Sequence, residues 1–377
     1  MFLTIFSIPL VFYSLLSSLI NVPKYLIFFI LFTVYHLLSS IIINPVPSFS
    51  YWIWFLLLDK NFLACLIFFI IENTHFDERF IRIMNRNILI VVLISLLVSL
   101  IQIKYPSFFL STGISLDAED VIYYSQNRIF SIYSWLDLNS LGITFPILIA
   151  ILLSFYNKKK KTFPLVVISG IVVSFLTKAR YVMLSAIIVF SQLFFASKIK
   201  LRKKVYIFFI FAASIVIFSS IAKVVGYDIQ QVIDERIMEK SSDMLSAKTR
   251  IISYYVFLKV FPDHPLFGVG PETKSNVVQL LGGSAPLIHV GYLSYLYFYG
   301  LVGSFLLLFS MFYLLKRTQI VGKKYEFWGG FYGLLSFFAA NATMVYFNFS
   351  EMGIILVIIY IRYFSEKSSL ELSELKL

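Results

Sequence analysis

Residues 246–303 read SAKTRIISYYVFLKVFPDHPLFGVGPETKSNVVQLLGGSAPLIHVGYLSYLYFYGLVG, and this stretch decides how the rest of the chain is interpreted. Charged, polar, Gly and Pro residues gather in its first part, and its end returns to apolar sequence. The chain on either side consists mostly of hydrophobic runs longer than those of globular cores. This arrangement predicts a polar, cationic chamber at one side of a membrane, held by a bundle of helices.

The composition is that of an integral membrane protein. Hydrophobic residues make up 59% of the 377 residues, charged residues make up 14%, and the mean hydropathy is +0.85. Soluble domains carry about 25% charged residues. The repeated apolar runs approach the length of about 20 residues that crosses a hydrocarbon core. We therefore predict an all-α polytopic membrane protein in which residues 1–377 form a single integral membrane domain.

The apolar runs predict about eleven transmembrane helices. They lie near residues 3–20, 24–43, 51–71, 87–103, 139–156, 163–177, 181–197, 205–222, 287–315, 326–345 and 349–364. Asp59, Lys60 and Asn61 interrupt the third run, so residues 49–58 are alternatively an interfacial piece. Two connecting loops are long, at 104–138 and 223–286, and loops of such length are usually functional or disordered. The pattern of 228–261 predicts a helix, so we expect ordered structure over the membrane.

The basic residues indicate the orientation of the bundle. The net charge is +12, and much of it lies in short clusters between apolar runs, at 79–86, 158–161, 198–204 and 316–324. Such clusters mark cytoplasmic loops. We therefore predict that the N-terminus and both long loops face outward and that the C-terminus faces inward. The first run lacks a basic n-region and is interpreted as a retained span. This pattern explains the positive charge without a nucleic-acid partner.

Metal, disulfide and nucleotide sites find no support in the sequence. The single cysteine, Cys65, lies in an apolar run, and the four histidines show no close metal-ligand spacing. The PLFGVG element at 265–270 predicts a turn with glycine-specific backbone angles. It lacks the third glycine of a dinucleotide fingerprint, and the chain has no Walker lysine. We expect neither a metal nor a cofactor.

Arg180 is the first candidate for a binding role. Lys178 and Arg180 stand between two apolar runs with almost no connecting loop, so both are expected in or at the outer edge of the bilayer. A cation there is costly and marks a functional cavity by default. A guanidinium group also suits bidentate pairing with phosphate oxygens. The alternative is a snorkelling side chain at a tight turn, which fits Lys178 better.

Arg250 and His289 are the candidates in the second long loop. Arg250 lies on the predicted helix before the Pro- and Gly-rich return to the membrane, and the alternative is a solvated helix face. His289 stands at the outer mouth of the run 287–315, where an imidazole can take a proton from a sugar hydroxyl. Its alternative is a helix-end histidine that bonds to backbone or lipid.

Tyr292, Tyr295 and Tyr299 follow His289 at helical spacing. They are candidates for lining a saccharide groove, and ordinary aromatic packing is the alternative. The element DLNSLG at 137–142, which contains Asn139, has the composition of a helix N-terminal cap.

Four stretches in this order resemble a known family. They are RIFSIYSWLDLNSLG at 128–142, SFLTKAR at 174–180, Arg250 followed by PLFGVG, and HVGYLSYLYFYGLVG at 289–303. In these motifs and in its helical layout, the chain resembles bacterial O-antigen polymerases of the Wzy type and the related O-antigen ligases. Three positions depart from the family pattern. Ser131 stands where Gly is common, Leu138 where Pro is common, and Ala179 where Ser is common.

The resemblance implies a metal-independent glycosyltransferase that uses lipid-linked sugars in the bacterial cytoplasmic (inner) membrane, with its active site facing the periplasm. Its substrates would be oligosaccharide repeat units on undecaprenyl pyrophosphate, and a chain-length regulator is an expected partner. Arg180 and Arg250 would hold the departing pyrophosphate, and His289 would activate the acceptor hydroxyl. The expected substrate-binding residues are Arg128, Lys178, Asn139, Tyr292 and Tyr295.

Two other functions compete with the polymerase. An O-antigen ligase would use the same donor and chemistry but transfer the glycan to lipid A core. A flippase or transporter for lipid-linked sugars would favour small loops, internal repeats and charge buried along a path through the bilayer. The long outer loops and the lack of an evident repeat favour an enzyme over a transporter.

Overall fold

The computed structural model describes residues 21–43, 59–105, 129, 131–132, 138–156, 162–177, 179–196, 205, 209, 245–270, 290–342, 349 and 351–374. These residues form helices, and there is no strand among them. The longer helices are α1 (Lys24–Ile43), α2 (Lys60–Glu72), α3 (Glu78–Lys104), α4 (Leu138–Tyr156), α5 (Phe163–Leu176), α6 (Arg180–Phe195), α7 (Leu245–Val260), α8 (Gly291–Tyr325), α9 (Gly329–Asn341) and α10 (Met352–Glu374). A 3-10 turn, Phe261–Asp263, follows α7.

The helices agree with an α-helical membrane protein. Residues Lys24–Ile42, all of α3 and all of α8 are long and apolar enough to cross a membrane. Leu141–Tyr156, α5 and α6 are shorter apolar helices. The predicted run 3–20 lies outside the described residues, as does 205–222 apart from the helical residues Val205 and Phe209. The total of about eleven spans therefore stays a prediction.

Several helices are longer than their apolar runs. We predicted residues 79–86 as a loop, but α3 begins at Glu78 because the Asp77 side chain accepts a hydrogen bond from the Phe80 N–H at 2.7 Å. This is an N-terminal cap, and Glu78 in the first turn suits the helix dipole. Likewise α8 continues through the basic cluster 316–324 to Tyr325. The basic residues of both clusters therefore extend helices and do not form loops.

The chain divides into two compact units, each built from separate pieces of sequence. The first unit contains Met1–Phe76, Leu245–Thr318 and Asn341–Leu377, and the second contains Asp77–Met244 and Gln319–Ala340. In the first unit, α2 contacts both α1 and α10. Aromatic rings fill its interior, with centroid distances of 5.0 Å for Phe29–Phe349 and 5.3 Å for Phe29–Phe68. Such ring contacts are a main source of packing energy.

The second unit is arranged around α4. This helix contacts α3, α5 and α6, and all of its residues from 141 to 153 are buried. α9 approaches it through Gly329 and Gly333, since a Cβ on Gly329 would lie only 2.6 Å from the Ala150 carbonyl oxygen. Small residues four positions apart allow such close approach of membrane helices.

A buried ion pair marks one end of the first unit. The Glu72 carboxylate is completely buried at the end of α2, and its Oε1 accepts a hydrogen bond from Arg317 Nη1 at 2.6 Å. The Tyr25 hydroxyl donates to the same oxygen at 2.8 Å. We call Tyr25, Glu72 and Arg317 the Glu72 cluster. Arg317, which the charge pattern assigns to the cytoplasmic side, thus belongs to the same end of this unit as Lys24, the first residue of α1.

Candidate functional site

α8 is broken at Gly300, and the Pro265–Gly270 segment pairs with the break. Gly300 has φ 60 and ψ −163, which interrupts the helical hydrogen bonds. The Leu301 and Val302 N–H groups donate to the carbonyl oxygens of Pro265 and Leu266 at 2.9 and 3.0 Å. In return, the Val269 and Gly270 N–H groups donate to the carbonyl oxygens of Tyr297 and Phe298 at 2.9 and 2.8 Å. The segment therefore satisfies backbone groups on both sides of the break.

Glycine is required on both sides of this contact. Gly268 has φ +70, and a Cβ on it would lie 2.5 Å from the Gly300 nitrogen and 2.5 Å from the Phe298 carbonyl oxygen. A Cβ on Gly300 would collide with the Leu266 carbonyl oxygen. Gly270 also has positive φ, at 88. These angles confirm the predicted turn. They also explain why glycine occurs in PLFGVG and at position 300, where the two backbone segments meet.

Tyr35 of α1 holds the break from a third side. Its hydroxyl lies 2.8 Å from the Phe267 carbonyl oxygen and 3.0 Å from the Tyr299 carbonyl oxygen, one in the segment and one in the helix. A Cβ on Gly303 would lie 2.5 Å from the Tyr35 ring. Gly303 therefore gives the tyrosine the space it needs beside α8.

Next to Tyr35, His36 links Tyr299 to Asp59. His36 Nε2 lies 2.8 Å from Asp59 Oδ2, and Nδ1 lies 2.8 Å from the Tyr299 hydroxyl. A carboxylate accepts, so Nε2–H donates to Asp59, and in that tautomer Nδ1 accepts the Tyr299 O–H. Asp59 also caps α2, because its Oδ1 accepts from the Phe62 N–H at 2.7 Å. We call Asp59, His36 and Tyr299 the His36 cluster. All three side chains are buried or nearly so, and the cluster fixes the residue that precedes the break.

The predicted groove tyrosines lie on the first turns of α8. Tyr292 is half-buried, whereas Tyr295 and Tyr299 are buried. The Tyr295 ring lies 5.4 Å from the Tyr299 ring and 6.1 Å from the Phe32 ring. This geometry favours the packing alternative for Tyr295 and Tyr299, and substrate contact by Tyr292 stays a prediction.

Two further predicted residues flank the same elements. Arg250 lies on α7, in the first unit, and its side chain is outside what the structure describes. His289 lies outside the described residues and directly precedes Val290, one residue before α8 begins. α7 leads into the Pro265–Gly270 segment through the 3-10 turn, and α8 begins two residues after His289, so the break joins the two elements that follow these residues in sequence.

In the second unit, Arg180 is the first residue of α6 and is exposed. Ala179 is its N-terminal cap residue, in an extended conformation and without a side-chain hydrogen bond to the helix. A Cβ on Gly142 would collide with the ring of Tyr181, so the start of α4 contacts the start of α6. Asn139 is the second residue of α4, and its side chain is outside the description. The structure therefore brings the helix turns of Asn139 and Arg180 together.

Ser131 is anchored at the same end of the second unit. It has φ 60, its N–H donates to Gln102 Oε1 at 2.7 Å, and its carbonyl oxygen accepts from Gln102 Nε2 at 2.9 Å. Ile129 packs with Val172 and Leu176 near the end of α5. Arg128 and Lys178 lie outside the described residues, each next to a described neighbour in this group. Arg180 and Arg250 belong to different units, and their joint action on one ligand stays a prediction.

Residues 164–308 match a family model whose description is O-antigen ligase. The matched segment begins in α5, ends in α8 and contains Arg180, Arg250 and His289. This match supports the resemblance of the chain to the O-antigen ligase and polymerase family. Members of that family are glycosyltransferase-like enzymes acting on lipid-linked glycans in a membrane. A search of curated proteins finds no match to the chain. Tyr35, His36 and Asp59 all lie outside the matched segment.

Sequence reasoning missed the hydrogen bonds of Tyr35 and His36 beside the break and the link from His36 to Asp59. A signal was present, since histidine and aspartate within or beside apolar runs mark functional or structural polar sites in membranes. Within the described ranges, no three His, Cys, Asp or Glu side chains gather as metal ligands would. The expectation of a metal-independent reaction stays a prediction.

Proposed function

We propose that this protein transfers a glycan from a polyprenyl pyrophosphate carrier to an acceptor sugar at the periplasmic face of the bacterial inner membrane, and that it acts as a polysaccharide polymerase. The observation that carries the proposal is the match over 164–308, because that segment includes both proposed pyrophosphate-binding arginines and the proposed base. The proposal is also supported by the pairing of Pro265–Gly270 with α8. This pairing joins the PLFGVG motif to the motif at 289–303, two of the stretches that resemble the family.

The proposed reaction is a displacement at the anomeric carbon of the donor. The acceptor hydroxyl oxygen forms the new bond, the bond from the anomeric carbon to the pyrophosphate oxygen breaks, and the pyrophosphate keeps the electron pair. Arg180 and Arg250 would stabilise the charge that develops on the leaving group. His289 would take the proton from the attacking hydroxyl. The leaving group supplies the driving force, so the reaction needs no ATP.

The test is chain extension by purified protein in lipid nanodiscs containing an undecaprenyl-pyrophosphate-linked repeat unit. Arg180→Ala and Arg250→Ala should lower the rate by at least about 100-fold, as loss of transition-state charge stabilisation does. Arg180→Lys should recover only part of the activity, because an ammonium cannot pair with two phosphate oxygens at once. His289→Ala should lower kcat more than it raises KM.

Arg82→Ala is the matched control. Arg82 is an exposed arginine on the first turns of α3, far in sequence from every proposed site residue, and its loss should leave extension unchanged. If the Arg180→Ala and Arg250→Ala variants both extended chains at the wild-type rate, the proposed binding of pyrophosphate by these arginines would be wrong. An equal effect of all three arginine replacements would indicate general charge dependence and would contradict the assignment.

The ligase is the second candidate, and the description of the matched family model favours it. The two reactions share the donor and differ in the acceptor. A strain deleted for a polymerase makes lipopolysaccharide with a single repeat unit, whereas a strain deleted for a ligase attaches none. The banding pattern of the deletion strain therefore separates the two candidates without purified substrate.

A further inference from the structure

α7 exposes an apolar face over residues 251–258, in the part of the helix whose side chains the structure describes. Ile251, Tyr254, Tyr255 and Leu258 recur at positions i, i+3, i+4 and i+7, and each is between 50% and 69% exposed. This spacing places them on one side of the helix. In the segment that follows, Leu266 and Phe267 are exposed by 55% and 62%. We call these six residues the apolar stripe.

The opposite side of α7 faces the protein. Ser253 and Val256 are buried, at 1% and 2% exposure, about half a helical turn from the stripe. The Phe257 ring stacks on Phe261 of the 3-10 turn with centroids 4.7 Å apart. This stack joins α7 to the 3-10 turn, and the stripe is the side of α7 opposite the buried Ser253 and Val256.

Backbone pairing fixes the depth of the segment in the membrane. Pro265–Gly270 bonds to residues 297–302 of α8, a helix long and apolar enough to cross a bilayer. The apolar part of α8 ends before Lys316, and a hydrocarbon core takes about 20 residues of helix. Counting back from Lys316, the outer edge of the core falls near residues 296–297, next to the break. Half-buried Tyr292, at the start of α8, agrees with this level, because tyrosine concentrates at membrane interfaces.

We propose that the apolar stripe is a membrane-docking surface, inserted between the headgroups and acyl chains of the leaflet that α8 enters at Gly291. The charge pattern predicts that this is the outer leaflet. Helices of this kind lie in the interface with the apolar side about 5–10 Å deep. The partner is bilayer lipid, since the stripe is continuous with a segment already at the edge of the core. Exposed Lys259 flanks the stripe, where its ammonium can reach the phosphates.

This docking goes beyond the proposed activity and does not depend on it. Its consequence is that α7, which carries Arg250, lies at the level of lipid phosphates. A stripe in water would instead be a large exposed apolar patch, which proteins rarely keep without a partner.

The test uses a bimane fluorophore on single cysteines in nanodiscs, in a Cys65→Ala background. Labels on Leu258→Cys and Phe267→Cys should lose fluorescence with lipids carrying a doxyl group on the acyl chain and should resist aqueous iodide. Asp263→Cys is the matched control, because Asp263 is exposed in the turn between the two labelled sites and should be quenched by iodide. Ile251→Cys supplies a second position on α7 if a labelled variant does not fold.

Two outcomes would overturn the proposal. Quenching of the stripe labels by iodide and not by doxyl lipid would place the stripe in water. Protection from both quenchers would show that protein covers it, either another part of this chain or a second copy. As a control, the protein is transferred from lipid nanodiscs to detergent without doxyl lipid. The doxyl quenching should then disappear, which confirms that the signal comes from the bilayer.

Discussion

Three residues that depart from the pattern implied by the resemblance each occupy a position with a special backbone role. They are Ser131, Leu138 and Ala179. Ser131 has φ 60, in the region where glycine has no steric cost. Leu138 is the first residue of α4, a position that proline favours. Ala179 caps α6 without a side-chain acceptor, and serine is among the best residues there. A glycine at 131, a proline at 138 and a serine at 179 would therefore each suit the local backbone.

Ala179→Ser should stabilise the protein. A serine hydroxyl at the cap can accept a hydrogen bond from an N–H of the first turn of α6, which is worth about 0.5–2 kcal/mol. We expect a higher midpoint of thermal unfolding in detergent. Ala64→Ser, at a buried position inside α2, is the control and should be neutral or destabilising because no free helix N–H is nearby. A lower midpoint for Ala179→Ser would show that the hydroxyl does not reach the helix.

The break in α8 is stabilised by backbone groups from another part of the chain. A membrane helix with an interruption leaves N–H and C=O groups that need partners, since hydrocarbon offers none. Here the partners come from Pro265–Gly270, and Tyr35 bonds to both sides. The break is therefore a packed structural element and not a local loosening of the helix.

Gly300→Ala should disrupt this element. Its φ and ψ lie in a region essentially restricted to glycine, and the added Cβ would strike the Leu266 carbonyl oxygen. Strain and lost hydrogen bonds together should cost more than about 3 kcal/mol. Hydrogen exchange read by mass spectrometry should show faster exchange in peptides covering 265–270 and 301–302.

Gly333→Ala is the control for that measurement. Gly333 is also a helical glycine in a tight contact, but its Cβ would meet only the Ile147 side chain and Cα, at 3.3 and 3.5 Å. The helix-propensity gain of about 1 kcal/mol offsets much of that crowding. Unchanged exchange around the break in Gly300→Ala would contradict the pairing described above.

On the scale of the whole molecule, polar contacts show how the helices of the first unit alternate in direction. The Glu72 cluster joins the start of α1 to the end of α2 and to the later part of α8. The His36 cluster joins the later part of α1 to the start of α2 and the early part of α8. Each cluster therefore ties together the ends that the charge pattern assigns to one side of the membrane.

Arg317→Leu should destabilise the protein by about 3–5 kcal/mol, because it leaves the buried Glu72 carboxylate without its cation. Adding Glu72→Gln should recover most of that loss, since the neutral amide oxygen can still accept from Tyr25. Lys316→Leu, at an exposed neighbouring position, should change stability by less than about 0.5 kcal/mol. Midpoints of thermal unfolding in one detergent compare the wild type, Lys316→Leu, each single cluster variant and the double variant, and additive effects of the two cluster changes would refute the coupling.

Apolar run length predicted most of the described helices, because hydrophobicity is a local property of the chain. It did not predict that α3 begins at Glu78, since capping by Asp77 extends the helix through basic residues. The turn at Gly268 was predictable from PLFGVG, but its pairing with Gly300 was not, because backbone pairing between distant residues leaves no periodic signal. The same holds for the His36 cluster, whose members come from two helices and from the cap of a third.

The pairing of Pro265–Gly270 with the break in α8 also constrains the order of steps in membrane insertion. Residues 265–270 leave the ribosome before Gly300, and they must already lie beside α8 when it settles in the bilayer, or Leu301 and Val302 enter lipid without acceptors. If the preceding loop faces outward, as the charge pattern predicts, its export and the insertion of α8 are coupled steps of biogenesis. A nascent chain whose loop stays in the cytosol would present an incompletely bonded helix to the membrane proteases that remove misassembled proteins.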